Sequence, residues 1–146
     1  ELQTPLLSRC LGEYDTARNH CRAALALHRE HCDLTGEATA LDGLGLIEHR
    51  TGNHHEAIHH YRQALALRRV LGNITEIAET LDRLGHSHTA LDHPEQARAV
   101  WRDALGLYRG HNRDADALRV QRQLDALGPT TGSNGPSDAS KTTDNA

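Results

Sequence analysis

The chain has 146 residues, 37% of them hydrophobic, with no Phe, no Met, one Trp and three Tyr. That length holds one domain at most, and its core must be built from Leu and Ala, which suits close helix-on-helix packing. A formal net charge of −4 with neutral His argues against a dedicated nucleic-acid binder, and the lack of any apolar run near about 18 residues argues against a membrane-spanning helix.

The chain repeats every 40 residues without a gap. Residues 6–45, 46–85 and 86–125 superpose so that Ala17, Ala57 and Ala97 align, as do Ala24, Ala64 and Ala104, and Leu25, Leu65 and Leu105. Cys21, Tyr61 and Trp101 share one position, and the first two blocks match at 16 of 40 positions. A fixed period of this size means stacked units, each burying its apolar face against its neighbours.

Taken in chain order, each block reads as two antiparallel helices. Residues 6–11 read as the tail of a first-type helix and 13–31 as a complete second-type helix. Pro5 falls where the pattern puts helix interior, so the N-terminal edge reads as truncated, an apolar edge that favours a homodimer. The next helix, over 37–50, carries Ala40, Leu41, Leu44 and Ile47 at a 3.6-residue period, and Gly52 supplies its left-handed stop. Its partner spans 55–71. Asn73, with Glu76 three residues on, reads as a capping box opening a helix over 75–91. Asp92, Pro94 and Glu95 open another that runs to 109. A last helix over 114–127 ends at Gly128-Pro129. The repeat domain is thus 1–127, in blocks 6–45, 46–85 and 86–127. Residues 128–146 lack a large apolar side chain and are expected to be disordered.

The absence of a leader pattern gives a cytoplasmic expectation. The chain also lacks an initiator Met and opens inside a repeat, so it reads as a fragment of a larger protein. Arg outnumbers Lys fifteen to one, a bias that points to a GC-rich bacterial genome. Cys10, Cys21 and Cys32 cannot all pair and form no CxxC, so they read as reduced thiols.

One motif suggests chemistry. His55-Glu56-Ala57-Ile58-His59 spells HExxH, in which two His one turn apart hold zinc and Glu acts as base. Glu79 follows at a spacing where some zinc proteases place a third ligand. The repeat explains the same letters without chemistry, because Ala57 is the buried member of the helix and His55 and His59 then point outward. These two His are the only metal candidates, and no catalytic residue, metal or cofactor is assigned. The twelve His, including His54, His60, His86 and His88, suggest pH sensing, against the plainer reading of a solvated helix face. Gly43-Leu44-Gly45 lies mid-helix with no preceding strand and is no nucleotide loop.

The repeat resembles the tetratricopeptide repeat. Leu41, Leu44 and Gly45 stand at the first helix's W, L and G positions, and Ala57, Tyr61 and Ala64 at the second helix's A, F and A positions. The next block supplies Leu81, Leu84, Gly85, Ala97, Trp101 and Ala104. The period is 40 instead of 34, and Arg69 and Arg109 replace the terminal Pro. These long repeats are similar to those in the C-terminal region of large bacterial signalling regulators, including actinobacterial antibiotic-regulatory transcriptional activators.

The resemblance implies an all-α, right-handed superhelix of antiparallel helix pairs with about two and a half to three repeats. It also implies a concave groove lined by Thr39, Asp42, Leu46, His49 and Arg50, then Glu79, Asp82, His86 and Thr89, then Arg119 and Arg122. Asp42 and Asp82 recur at one position, so an acidic groove with arginines at one end is expected, matched to a peptide of basic or mixed charge. The function implied is protein–protein interaction, with a peptide, a protein or another domain of the parent chain as partner. No direct nucleic-acid or membrane contact is expected. The alternatives are a structural or oligomerisation element and a zinc hydrolase built on the HEAIH segment.

Overall fold

The computed structural model describes residues 4–129, with side-chain surroundings for 11–129. The tail expected to be disordered falls, from residue 130 on, outside the described residues. Among those residues there are six helices and no strand: α1 (Thr4–Glu30), α2 (Leu34–Arg50), α3 (His54–Leu71), α4 (Ile74–Ala90), α5 (Pro94–Gly110) and α6 (Asp114–Ala126). Each helix packs on the next in the chain.

The turns keep strict time. Cys32, Gly52, Gly72, Asp92 and Asn112, spaced 20 residues apart, all take a left-handed conformation, with φ between 54° and 87°. In four of these turns the next residue's N–H reaches back to a carbonyl of the last helical turn: Asp33 to His28 and Asn53 to Glu48 at 2.8 Å, and His93 to His88 and Arg113 to Tyr108 at 2.9 Å. These bonds satisfy carbonyls that a helix end leaves bare. Glycine takes this conformation without strain at 52 and 72, whereas Cys32, Asp92 and Asn112 hold a Cβ there.

Three expectations change. The reading of 6–11 as a separate helix is wrong: α1 runs unbroken through Gly12, which is in register with Gly52. Six residues form too short a helix to offset a second nucleation, whereas extending α1 adds one bond per residue. Pro5 accordingly sits in the first turn of α1, where its missing N–H costs nothing. Asp92 is the left-handed residue and not a cap; His93 stands at the cap position without a side-chain cap bond. Finally, α2 starts at Leu34, before the expected 37, because Asp33 caps it by accepting from the Gly36 N–H at 3.0 Å. Asn73 caps α4 in the same way, accepting from the Glu76 N–H at 3.3 Å.

Two apolar clusters hold the stack. The larger joins α3 to α6 through Tyr61, Leu65, Ile77, Leu81, Leu84, Trp101, Tyr108 and Val120. The smaller joins α1 to α3 through Leu25, Leu41, Leu44 and Ala64. Within each pair an aromatic ring lies flat against a glycine. A Cβ on Gly45 would stand 2.6 Å from Tyr61 Cδ1, and one on Gly85 would collide with the indole of Trp101. Trp101 Nε1 donates to the Asp82 carbonyl at 3.0 Å, so the buried ring leaves no polar atom unpaired.

Gly85→Ala is therefore expected to destabilise the fold by about 1–3 kcal/mol through overpacking, although alanine is the better helix former. Thermal unfolding by circular dichroism checks this; an unchanged or raised midpoint would show that the wedge has room to spare.

Candidate functional site

The stack has an inner and an outer side. Helices α2 and α4 touch directly, whereas no comparable contact joins α1 to α3 or α3 to α5 among the described residues. The first-type helices α2 and α4 thus meet directly, and α1, α3 and α5 stack on the helices between them.

Polar bonds link the first-type helices α2, α4 and α6 along one face. Asp42 of α2 is ion-paired with Arg83 of α4, and Arg68 of α3 lies 3.4 Å from its other oxygen. Asp82 of α4 is ion-paired with Arg119 of α6, accepts from Gln123 Nε2 at 2.8 Å and lies 3.5 Å from His86 Nε2. Both carboxylates are nearly closed off from water, Asp42 at 5% and Asp82 at 6% exposure. A buried carboxylate is costly unless ion-paired and hydrogen-bonded; Asp82 has both kinds of partner, whereas Asp42 is ion-paired and its Oδ1 accepts no hydrogen bond. Arg68 also donates to Thr80, and burial is the main cause lowering its pKa. Hydrogen bonds from Arg119 to Asp82 and Asp116 raise the Arg119 pKa, with burial opposing them as the largest single influence.

The sequence-derived groove residues divide accordingly. Thr39, Arg50, His86, Thr89, Arg119 and Arg122 are exposed; Leu46, His49 and Glu79 are half-buried; Asp42 and Asp82 are buried beneath the arginines that bridge the helices. Two of the exposed hydroxyls turn back on their own helices, Thr39 to the Thr35 carbonyl at 3.0 Å and Thr89 to the Gly85 carbonyl at 2.8 Å. Sequence reasoning missed Arg68, Arg83 and Gln123. Arg83 and Gln123 each follow an aspartate partner by 41 residues, and that repeated offset was readable in the chain.

The HEAIH residues His55, Glu56 and His59 are exposed on α3. Among the described residues, no group of three or more His, Cys, Asp or Glu is placed to hold a metal ion. Of the cysteines with described surroundings, Cys21 is half-buried and Cys32 exposed, and both are free thiols.

The solvated-face expectation fails for part of the histidine set. His88 is 4% exposed and its Nδ1 has no partner. The His60 Nδ1 is likewise buried and unpartnered. His49 Nδ1 lies 3.0 Å from His54 Nδ1 and 3.1 Å from Ser87 Oγ, tying α2 to both α3 and α4. Burial is the first cause lowering all three pKa values. Neighbouring basic side chains add to it: His54, His86 and Arg50 around His49; Arg62 and His93 around His88; His59 and Arg22 around His60, where Glu48 and Glu56 oppose them.

A depressed histidine pKa means that the unfolded chain takes up protons first as pH falls. Stability from these three groups is therefore complete above an unfolded pKa of about 6.5 and is lost below it, ahead of carboxylate protonation near about 4. Denaturant midpoints should fall as pH drops from about 7.5 to about 5.5, and His88→Leu should reduce the slope. A flat midpoint in the parent chain would refute the assignment.

The tetratricopeptide repeat family model matches residues 6–70 and again 36–110. No curated protein matches the chain. Repeats of this family generally mediate protein–protein interaction. No helix among the described residues is long and apolar enough to cross a membrane. The 40-residue register, the glycine–aromatic wedges and the two overlapping matches agree: the chain belongs to the tetratricopeptide repeat family.

Proposed function

We propose that this chain is a non-enzymatic interaction module that holds an extended peptide, or a segment of another domain of its parent protein, on the concave face of α2, α4 and α6. The observation that carries this reading is the bonding between those helices. Arg83–Asp42, Arg119–Asp82 and His49–Ser87 join three helices into one preformed surface. A preformed surface spares a ligand much of the ordering cost of binding. With the two aspartates buried, the charges left open are Arg50, Arg122 and the partly open Glu79, beside the exposed His86 ring and around the half-buried Leu46. This mixture, richer in cations than the sequence suggested, suits a peptide of mixed charge with carboxylates opposite Arg50 and Arg122.

The parent protein in this proposal is a large cytoplasmic bacterial regulator of the antibiotic-regulatory type. The 40-residue period, the arginine bias and the resemblance of the repeats support that placement. The net charge of −4 favours a protein partner over nucleic acid.

The test panning uses a phage-displayed peptide library on the parent chain and on Arg50→Glu/Arg122→Glu, both checked for helicity. Peptides selected by the parent should bind the variant on the order of tenfold or more weakly, as expected for lost or reversed charge contacts. Selection of the same peptides with equal affinity would overturn the concave-face reading. Asp42 and Asp82 are unsuitable probes, because reversing a buried, paired carboxylate disturbs the fold.

A further inference from the structure

The outer side carries a second feature, independent of the concave face. Arg22, Arg62 and Arg102 share one register position and Arg29, Arg69 and Arg109 another, so each second-type helix shows two arginines seven residues apart. Seven residues is two helical turns, which puts both on one face. All six are exposed.

Between α3 and α5 this lattice frames a groove of about 470 Å³. Ile77 and Leu81 of α4 and Leu107 of α5 supply apolar lining, Arg69 and Arg102 stand at its sides, and Asp103 is the one acid. The previous repeat is different at the same register. There Glu37 occupies the position of Ile77, and Arg29 Nε donates to Glu37 at 3.0 Å. The middle repeat has exchanged that acid for an apolar residue, and Arg69 has no ion-pair partner among the described residues.

Gly106 also lines the groove. It sits inside α5, where glycine costs about 1 kcal/mol relative to alanine. Gly45 and Gly85 are required by the rings packed on them, but a Cβ on Gly106 would meet nothing within 4 Å. The equivalent residues of the other repeats are Ala26 and Ala66. Packing within the chain does not explain this glycine, whereas close approach of something from outside does.

We infer that the α3–α5 groove is a docking site for a short acidic segment of a protein partner, with an apolar side chain against Ile77, Leu81 and Leu107 and flanking carboxylates on Arg69 and Arg102. Guanidinium–carboxylate bonds supply the charge complementarity, and the absence of a side chain at Gly106 lets the partner's backbone come close.

The probe is a fluorescein-labelled peptide of sequence Glu-Glu-Leu-Glu-Glu-Leu-Glu, followed by anisotropy against the 146-residue chain. Its comparison probes are the same peptide with Ser for Leu, the same peptide with Lys for Glu, a single-stranded DNA oligonucleotide and phosphatidylserine vesicles. Saturable binding of the acidic leucine peptide is expected, weakened on the order of tenfold by Arg69→Ala/Arg102→Ala and by either peptide change. Gly106→Leu should also abolish binding while leaving thermal stability equal or higher, which separates loss of the groove from loss of the fold. Absent binding, equal binding by the arginine variant or by Gly106→Leu, or tighter binding of DNA or vesicles than of the peptide would each overturn the proposal.

Discussion

Close approach of paired helices is the constraint on which this structure depends. Gly45 beneath Tyr61 and Gly85 beneath Trp101 let each pair come together with a ring as the spacer. Neighbouring layers then sit close enough for α2 to touch α4, and that proximity brings Arg83 to Asp42 and Arg119 to Asp82. The polar surface thus follows from the apolar packing. Without the wedge the arginines would fall short, and two carboxylates would be buried unpaired at a cost of several kcal/mol. The register residue in α6 is Asp125, which is exposed.

Burying the aspartates changes the electrostatic character of the face shared by α2, α4 and α6. By sequence position Asp42 and Asp82 form an acidic row. In the fold each lies under cations from neighbouring helices, and the outermost charges are mainly arginine. A ligand meets what the helices have left unpaired. The same reasoning separates the arginines of the outer side, where Arg29 is neutralised by Glu37 and Arg69 is not.

The periodicity made much of this legible. Helix type, the order of pairs and the stops at Gly52 and Gly72 followed from one 40-residue register, because small and apolar residues recur where close packing needs them. The exposure of His55 and His59 followed too, since Ala57 must face inward. The burial of Asp42 did not, because it depends on Arg83, a side chain one repeat away whose reach no local pattern encodes. The burial of His88 was hidden for a related reason. Its register partner Glu48 pairs with Arg18, but the residue in register with Arg18 is Ile58, so the ionic partner that Glu48 has is missing from the register at His88. The continuity of α1 was missed because Gly12 matches Gly52 in identity. A left-handed glycine is a permission to turn, and the chain uses it only where a following helix gains a surface to pack on.

Stability is unevenly distributed along the stack. Among the described residues, the α3–α6 cluster contains Trp101, two tyrosines and most of the buried aliphatic side chains, whereas the α1–α3 cluster has five buried members. Leu11 and Leu27 of α1 are more than half exposed, and α1 is fixed at its middle by Arg18, which pairs with Glu48 of α2. Burial of apolar area is the main favourable term in folding, so the described packing holds α4 and α5 more firmly than the described part of α1. The groove between α3 and α5 lies on the more firmly packed part of the chain, and so does the Asp82–Arg119 bond. The two surfaces proposed to recognise partners thus sit mainly on the more densely packed part of the stack.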